Sequence, residues 1–167
     1  MPTLSTLALI AHDSRTAALA DFVLNRRAAF SRFHLVAPRD TGTVLQKQTR
    51  LPIGLLDAGL AGGDQQLGRL AEANAIQAVI FFRDPAGGHP LEPNFACLLQ
   101  ICDAREIPLA TNGGTAEAVL YFLRHSPDRV LVAARSCGQE APPCPAAGGR
   151  TLISTDLQAI SSLLADS

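Results

Sequence analysis

The chain has 167 residues, 47% of them apolar, and its 14 basic and 15 acidic residues leave a net charge of −1. That length suits one domain with a sizeable core, while the charge balance gives no electrostatic footprint for nucleic acid or an anionic membrane. No apolar stretch is long and uncharged enough to span a bilayer, and the N-terminus lacks the pattern of an export signal, so a cytoplasmic location is expected.

Thr6 to Ala11 reads as a buried strand, since it has no polar alternation. His12, Asp13 and Ser14 then lead into a helix expected through about Ser31, with Leu19, Phe22 and Val23 facing inward. Phe33 to Ala37 is a second strand. Thr41, Gly42 and Thr43 open a helical piece to about Thr49, and Leu51 to Leu56 is a third extended stretch. Gly62, Gly63 and Asp64 make a turn into a helix ending near Asn74, with Leu67 and Leu70 on one side.

Gln77 to Phe82 is the clearest strand. A long turn with Asp84, Pro85, Gly87, Gly88, His89, Pro90 and Pro93 precedes a helix from about Asn94 to Arg105. Pro108 to Ala110 is a short strand, followed by Asn112, Gly113, Gly114 and Thr115 and a helix to about His125. Val130 to Ala133 reads as a further strand, and residues 136–149 as a surface loop or flexible insertion within a single domain spanning 1–167. After Leu152 and Ile153, Thr155 and Gln158 form a capping box for a last helix, with Leu157, Ile160 and Leu164 on its apolar face.

Short apolar runs alternating with segments of helical period place the chain in the α/β class. Cys97, Cys102, Cys137 and Cys144 have no metal-ligand spacing and read as reduced, structural thiols, with a bond between Cys137 and Cys144 left open. No Walker-type loop, Cys-x-x-Cys pair, His-Glu-x-x-His or dinucleotide fingerprint occurs, which leaves ATP, NAD and zinc unsupported.

In open α/β sheets, ligands sit beyond the carboxyl ends of the strands. Here the strand-to-helix turns carry His12 and Asp13, Thr41 and Gly42, Gly62 to Asp64, Asp84 to Asn94, and Asn112 to Thr115. Their recurring polar and glycine residues point to a single anion-friendly pocket. Asp64 reads either as a helix cap or as a carboxylate beside an anion site, where proton abstraction from a phosphorylated substrate would need one. Asp13 and Asp84 have the same two readings, capping or turn formation against catalysis. His89 is either a solvated loop residue or a proton shuttle, and Arg15 and Arg39 are the basic groups nearest these loops. His34 reads as structural, and His125 as a cation suited to a helix C-terminus.

Four blocks carry a family resemblance: Ile10 to Asp13, Gly62 to Gln66, Val79 to Pro85, and Ile107 to Asn112. In order and spacing they resemble the signature blocks of methylglyoxal synthases, over roughly residues 6–126, and Leu152 to Ala165 looks like the family's closing strand and helix. The resemblance implies a doubly wound, mostly parallel sheet flanked by helices, commonly assembled as a homohexamer. It also implies cofactor-free conversion of dihydroxyacetone phosphate to methylglyoxal and phosphate. Asp64 matches the family's catalytic aspartate, while His12, Asp13 and Asp84 match active-site positions, and Thr41 and Gly59 match phosphate contacts.

The chain departs from the family pattern at several points. The phosphate loop is reduced to Pro38, Arg39, Asp40, Thr41 and Gly42; Ala58 stands for the usual serine, and Thr16 for a lysine, with Arg15 one place earlier. The family's His-x-Pro-Asp reads Leu91, Glu92, Pro93 and Asn94, with His89 as the nearest histidine. Two alternatives accompany the synthase reading: a phospholigand-binding module without catalysis, and a lyase acting on another phosphorylated keto compound.

Overall fold

The computed structural model describes residues 5–56, 63–73, 75–86 and 93–125. Five strands form one sheet in the order β3-β2-β1-β4-β5: β1 (Thr6–Ala11), β2 (His34–Pro38), β3 (Ile53–Leu56), β4 (Ala78–Phe82) and β5 (Leu109–Ala110). All four pairings are parallel, so each strand is followed by a crossover that returns the chain to the amino edge. The connections are α1 (Thr16–Asn25) with α2 (Arg27–Phe30), then α3 (Arg39–Thr49), α4 (Gly63–Glu72) and α5 (Pro93–Ala104), and α6 (Gly113–His125) follows β5.

The strands lack polar alternation because both faces of the sheet are covered. Successive residues of β1 alternate between two cores. Leu7 and Leu9 pack with Leu19 and Val23 of α1, Leu45 of α3 and Leu120 of α6. Ala8 and Ile10 pack with Leu67 and Leu70 of α4 and Leu98 and Ile101 of α5. The sheet is therefore doubly wound, with α1, α2, α3 and α6 on one face and α4 and α5 on the other. Among the described residues no helix is long and apolar enough to cross a membrane.

Three element boundaries differ from the sequence reading. The helix expected through Ser31 breaks at Arg26, where the backbone leaves the helical region (φ −121°, ψ 25°). There the guanidinium lies over the Phe22 ring, 4.1 Å from its centroid, and pairs with Glu117 of α6. These two contacts hold Arg26 against α6, and α1 and α2 meet at that point. Secondly, α3 begins at Arg39 rather than Thr41, since β2 runs through Pro38 and the helix starts at once from its extended backbone (φ −54°, ψ 145°). Finally, Gly63 and Asp64 are the first two residues of α4, so Asp64 belongs to the first turn and is not the residue preceding it. The strand expected at 130–133, the loop at 136–149, Cys137, Cys144 and the last capping box lie outside the described residues.

Gly42 shows how tightly α3 is laid on the sheet. A Cβ there would stand 2.4 Å from Leu55 Cδ2 and 3.2 Å from Ala37 Cβ. In a free helix, Gly→Ala stabilises by about 1 kcal/mol. Leu55 Cδ2 is the tip of a half-buried side chain that can swing aside, but Ala37 Cβ belongs to a fully buried strand residue that cannot. Overpacking such a contact costs about 1–3 kcal/mol, so the packing term wins. Gly42→Ala should therefore lower stability by roughly 1 kcal/mol net in urea denaturation, opposite in sign to an exposed helical glycine.

Cys102 of α5 is 1% exposed within the α4–α5 core. Burial, with a smaller contribution from the charge of Asp103, pushes its thiol up to about 12 from 9.0. An unfolded chain would ionise this thiol above pH 9 while the native state holds it neutral. The stability it contributes is thus fully present below pH 9 and lost as pH rises from there towards about 12. Between pH 8 and pH 10 the wild type should lose about 1 kcal/mol more than Cys102→Ala, measured by urea denaturation at each pH.

Candidate active site

The sheet order places β1 beside β4, and the chain leaves these two strands towards opposite faces, α1 to one and α5 to the other. This is the switch point of a doubly wound sheet, where a crevice opens at the carboxyl edge because no connection crosses it. The β1–β4 register ends at Ala11 opposite Phe82, and the His12 N–H extends the ladder by donating to Phe82 O at 3.1 Å.

His12 continues the alternation of Ala8 and Ile10, so its ring falls on the α4–α5 face. There it meets the Phe81 ring edge-on, with centroids 5.0 Å apart and planes at 89°. The main-chain N–H of Asp84 donates to His12 Nδ1 at 3.0 Å. An accepting Nδ1 leaves the imidazole hydrogen on Nε2, the nitrogen from which this ring then donates.

The Asp84 carboxylate is itself held. Ser14 Oγ donates to Oδ2 at 2.6 Å, and the Ala86 N–H donates to Oδ1 at 2.9 Å, closing a turn of the type short acidic side chains favour. Ser14 sits in the single 3-10 turn Asp13–Arg15 that follows His12. Within that turn the Arg15 N–H donates to His12 O at 2.8 Å, and Thr16 Oγ1 donates to the same oxygen at 3.2 Å. Asp13 is exposed. Arg15 is half-buried, its Nε shielded from solvent without a hydrogen-bond partner among the described residues.

The helix mouths at this edge differ in what they leave free. In α6, Asn112 Oδ1 accepts the Thr115 N–H at 3.0 Å, and Thr115 Oγ1 accepts the N–H groups of Thr111 and Asn112 at 3.1 and 3.2 Å. That mouth is capped at Thr115 by its own side chains. At α3 the cap position is Pro38, which makes no side-chain cap bond, so the first-turn amides keep their capacity for an anion. Arg39 and Asp40 lie exposed in this turn, while Thr41 and Gly42 are buried.

Helix α4 covers the same face as the His12 ring. It runs back to the amino edge to feed β4, which places its N-terminus, with Gly63 and Asp64, at the carboxyl edge of the sheet. Ala58, Gly59, Gly62 and His89 lie outside the described residues. His125, at the far end of α6, is bonded through Nδ1 to Tyr121 O at 2.8 Å and stacks on the Tyr121 ring. The sequence reading did not single out Ser14. Its only signal was position, two residues after a histidine that ends a buried strand.

A parallel, doubly wound α/β domain with a histidine held by the main chain of an aspartate at its switch point belongs to the class of sheet proteins that take a small ligand at the carboxyl edge. No family model matches the chain, but curated relatives match about 70% of it. Methylglyoxal synthase of Carboxydothermus hydrogenoformans is 42% identical over 117 residues, covering 70% of this chain and 97% of that protein. Methylglyoxal synthase of Borreliella burgdorferi is 44% identical over 118 residues, 70% of this chain and 93% of its own. The crystal structure of methylglyoxal synthase from Elizabethkingia anophelis superposes with a TM-score of 0.66 at 29% identity, covering 72% of this chain and 79% of that one. The chain belongs to the methylglyoxal synthase family.

The self-capped mouth of α6 makes a local prediction. Asn112→Ala removes the acceptor of the Thr115 N–H and should cost about 1 kcal/mol in thermal or urea unfolding, since the exposed site offers no compensating contact.

Proposed function

We infer that this protein is a methylglyoxal synthase, a carbon–oxygen lyase acting on dihydroxyacetone phosphate. The observation that carries this reading is 42% identity extending over 97% of a relative of that name. The chemistry needs a base at the carbon beside a carbonyl, a donor to the oxygen that gathers charge, and a grip on phosphate. Asp64 takes a proton from the hydroxymethyl carbon, and the electron pair moves into the enediolate. Its collapse breaks the carbon–oxygen bond to phosphate, which leaves as inorganic phosphate. The enol that remains takes up a proton and becomes methylglyoxal.

His12 fits the donor role. Its Nδ1 is occupied by a main-chain N–H, so Nε2–H is the group it can lend to the substrate oxygen. Asp84 holds that ring from its main chain. Asp13 is assigned to the same site from the family pattern, and His89 as the loop histidine nearest the position where the family has its own. The uncapped mouth of α3 with Arg39, Asp40, Thr41 and Gly42, together with Ala58, Gly59, Gly62, Gly63 at the α4 start, and Arg15, makes up the phosphate grip. Elimination rather than isomerisation follows if the grip holds the phosphate ester bond out of the enediolate plane, parallel to its π orbitals. We assign the enzyme to the cytoplasm and, from the family pattern, to a homohexamer.

Purified protein given dihydroxyacetone phosphate should release inorganic phosphate and methylglyoxal in equal amounts. Asp64→Asn should lower kcat by about 10³-fold or more, the range expected for loss of a positioned base. Tight binding of the substrate with no phosphate release by the wild type would replace the synthase by the binding module. Release of phosphate only from other sugar phosphates would move the assignment to a related lyase.

A further inference from the structure

We propose that Ser14 is a positioning residue of the active site, acting through Asp84 on the orientation and tautomer of His12. The proposal rests on the synthase reading for its kinetic consequence, but its geometric basis is separate. Three groups are joined in series across the switch point. Ser14 Oγ donates to Asp84 Oδ2 at 2.6 Å, and the Asp84 N–H donates to His12 Nδ1 at 3.0 Å. The Ala86 N–H, donating to Asp84 Oδ1 at 2.9 Å, braces the middle of the series.

The Ser14 contact has the length of a hydroxyl bonded to an ionised carboxylate, the stronger kind of hydrogen bond. It also joins segments that the backbone does not join. Ser14 follows β1 and Asp84 follows β4, seventy residues apart in sequence. The β1–β4 ladder joins these two segments only as far as His12 N and Phe82 O; the Arg83 N–H then donates to Thr111 O on the β5 side, and beyond that point the chains diverge to opposite faces. The Asp84 N–H must keep its aim at Nδ1 past the end of the ladder. Ser14 sits on the same 3-10 turn as Arg15, whose N–H donates to the His12 carbonyl, and so ties the Asp84 segment to the segment that carries the imidazole.

The consequence is chemical. With the Asp84 N–H in place, the His12 hydrogen stays on Nε2 and the ring is held against Phe81. With Asp84 released, Nδ1 loses its fixed donor and the two tautomers can both be populated. A side chain that orients a functional imidazole through an intermediate group is commonly worth an order of magnitude or more in activity.

The test pairs kinetics with a spectroscopic readout of the ring. In Ser14→Ala, kcat should fall about tenfold with KM within about twofold of wild type, because the lost interaction serves the reacting geometry rather than substrate capture. Ser14 is exposed, so Ser14→Thr keeps a hydroxyl without crowding the core and should restore most of kcat. Long-range 1H–15N correlation spectra of the imidazoles, with His12 assigned from His12→Gln, should show the Nε2–H form in wild type and Ser14→Thr and a mixture in Ser14→Ala. Ser14→Ala with wild-type kcat and an unchanged His12 spectrum overturns the proposal. So does a kcat loss equal in Ser14→Ala and Ser14→Thr. If the wild type turns over no dihydroxyacetone phosphate, the synthase reading fails on that result, and the His12 spectrum still decides the role of Ser14.

Discussion

Pairing β1 with β4 is the constraint from which the rest of this domain follows. These strands are distant in sequence, yet their register holds over five residue pairs, from Leu7 opposite Ala78 to Ala11 opposite Phe82. Because the pairing is parallel, both strands end at the same edge. Because the chain winds outwards from them in opposite directions, that edge is left uncovered between them. A ligand site at this place is a product of strand order. Any residue immediately after β1 or β4 is delivered to it, which is how His12 and Asp84 come within one hydrogen bond of each other.

Burial on both faces makes that delivery rigid. The alternating residues of β1 and β4 are locked into two separate cores, so neither strand can slip by one residue without exchanging its faces. The helices are then free to differ in their exposed ends. Asn112 and Thr115 close the mouth of α6 with side chains, whereas α3 begins directly from Pro38, has no side-chain cap, and is pressed onto the sheet by Gly42. Two mouths at one edge therefore differ in their capping, although both have a glycine in the first turn.

The strands were legible because a fold that covers both sheet faces writes them as unbroken apolar runs, and Gln77 to Phe82 gave its element to within one residue. Helices α1 and α3 were less so. Periodicity does not mark the break at Arg26, which comes with a contact to Glu117 some ninety residues away, and a threonine-glycine pair suggests a loop where Pro38 had already set the helix going. Of the site, the turns were visible as places rich in polar residues, and the family blocks named His12, Asp84 and Asp64. What no spacing could give was the direction of the bonds among them. That His12 accepts from a main-chain N–H, and that Ser14 holds the donor's side chain, depends on which strands are neighbours.

The direction of that bond bears on how labour is divided in the proposed reaction. A neutral imidazole has one lone pair in the ring plane. In His12 it faces the Asp84 N–H, which leaves Nε2 as a donor and no free nitrogen to take a proton from carbon. A ring so held suits the oxygen that gathers charge, and the carbon proton has to go to a carboxylate. Asp84 is engaged by Ser14 and Ala86, and Asp64 lies in the first turn of α4, which with α5 covers the His12 face and starts at the same edge. The proposed base Asp64 thus fits a division of labour in which the fold has already committed His12 to the other half of the chemistry.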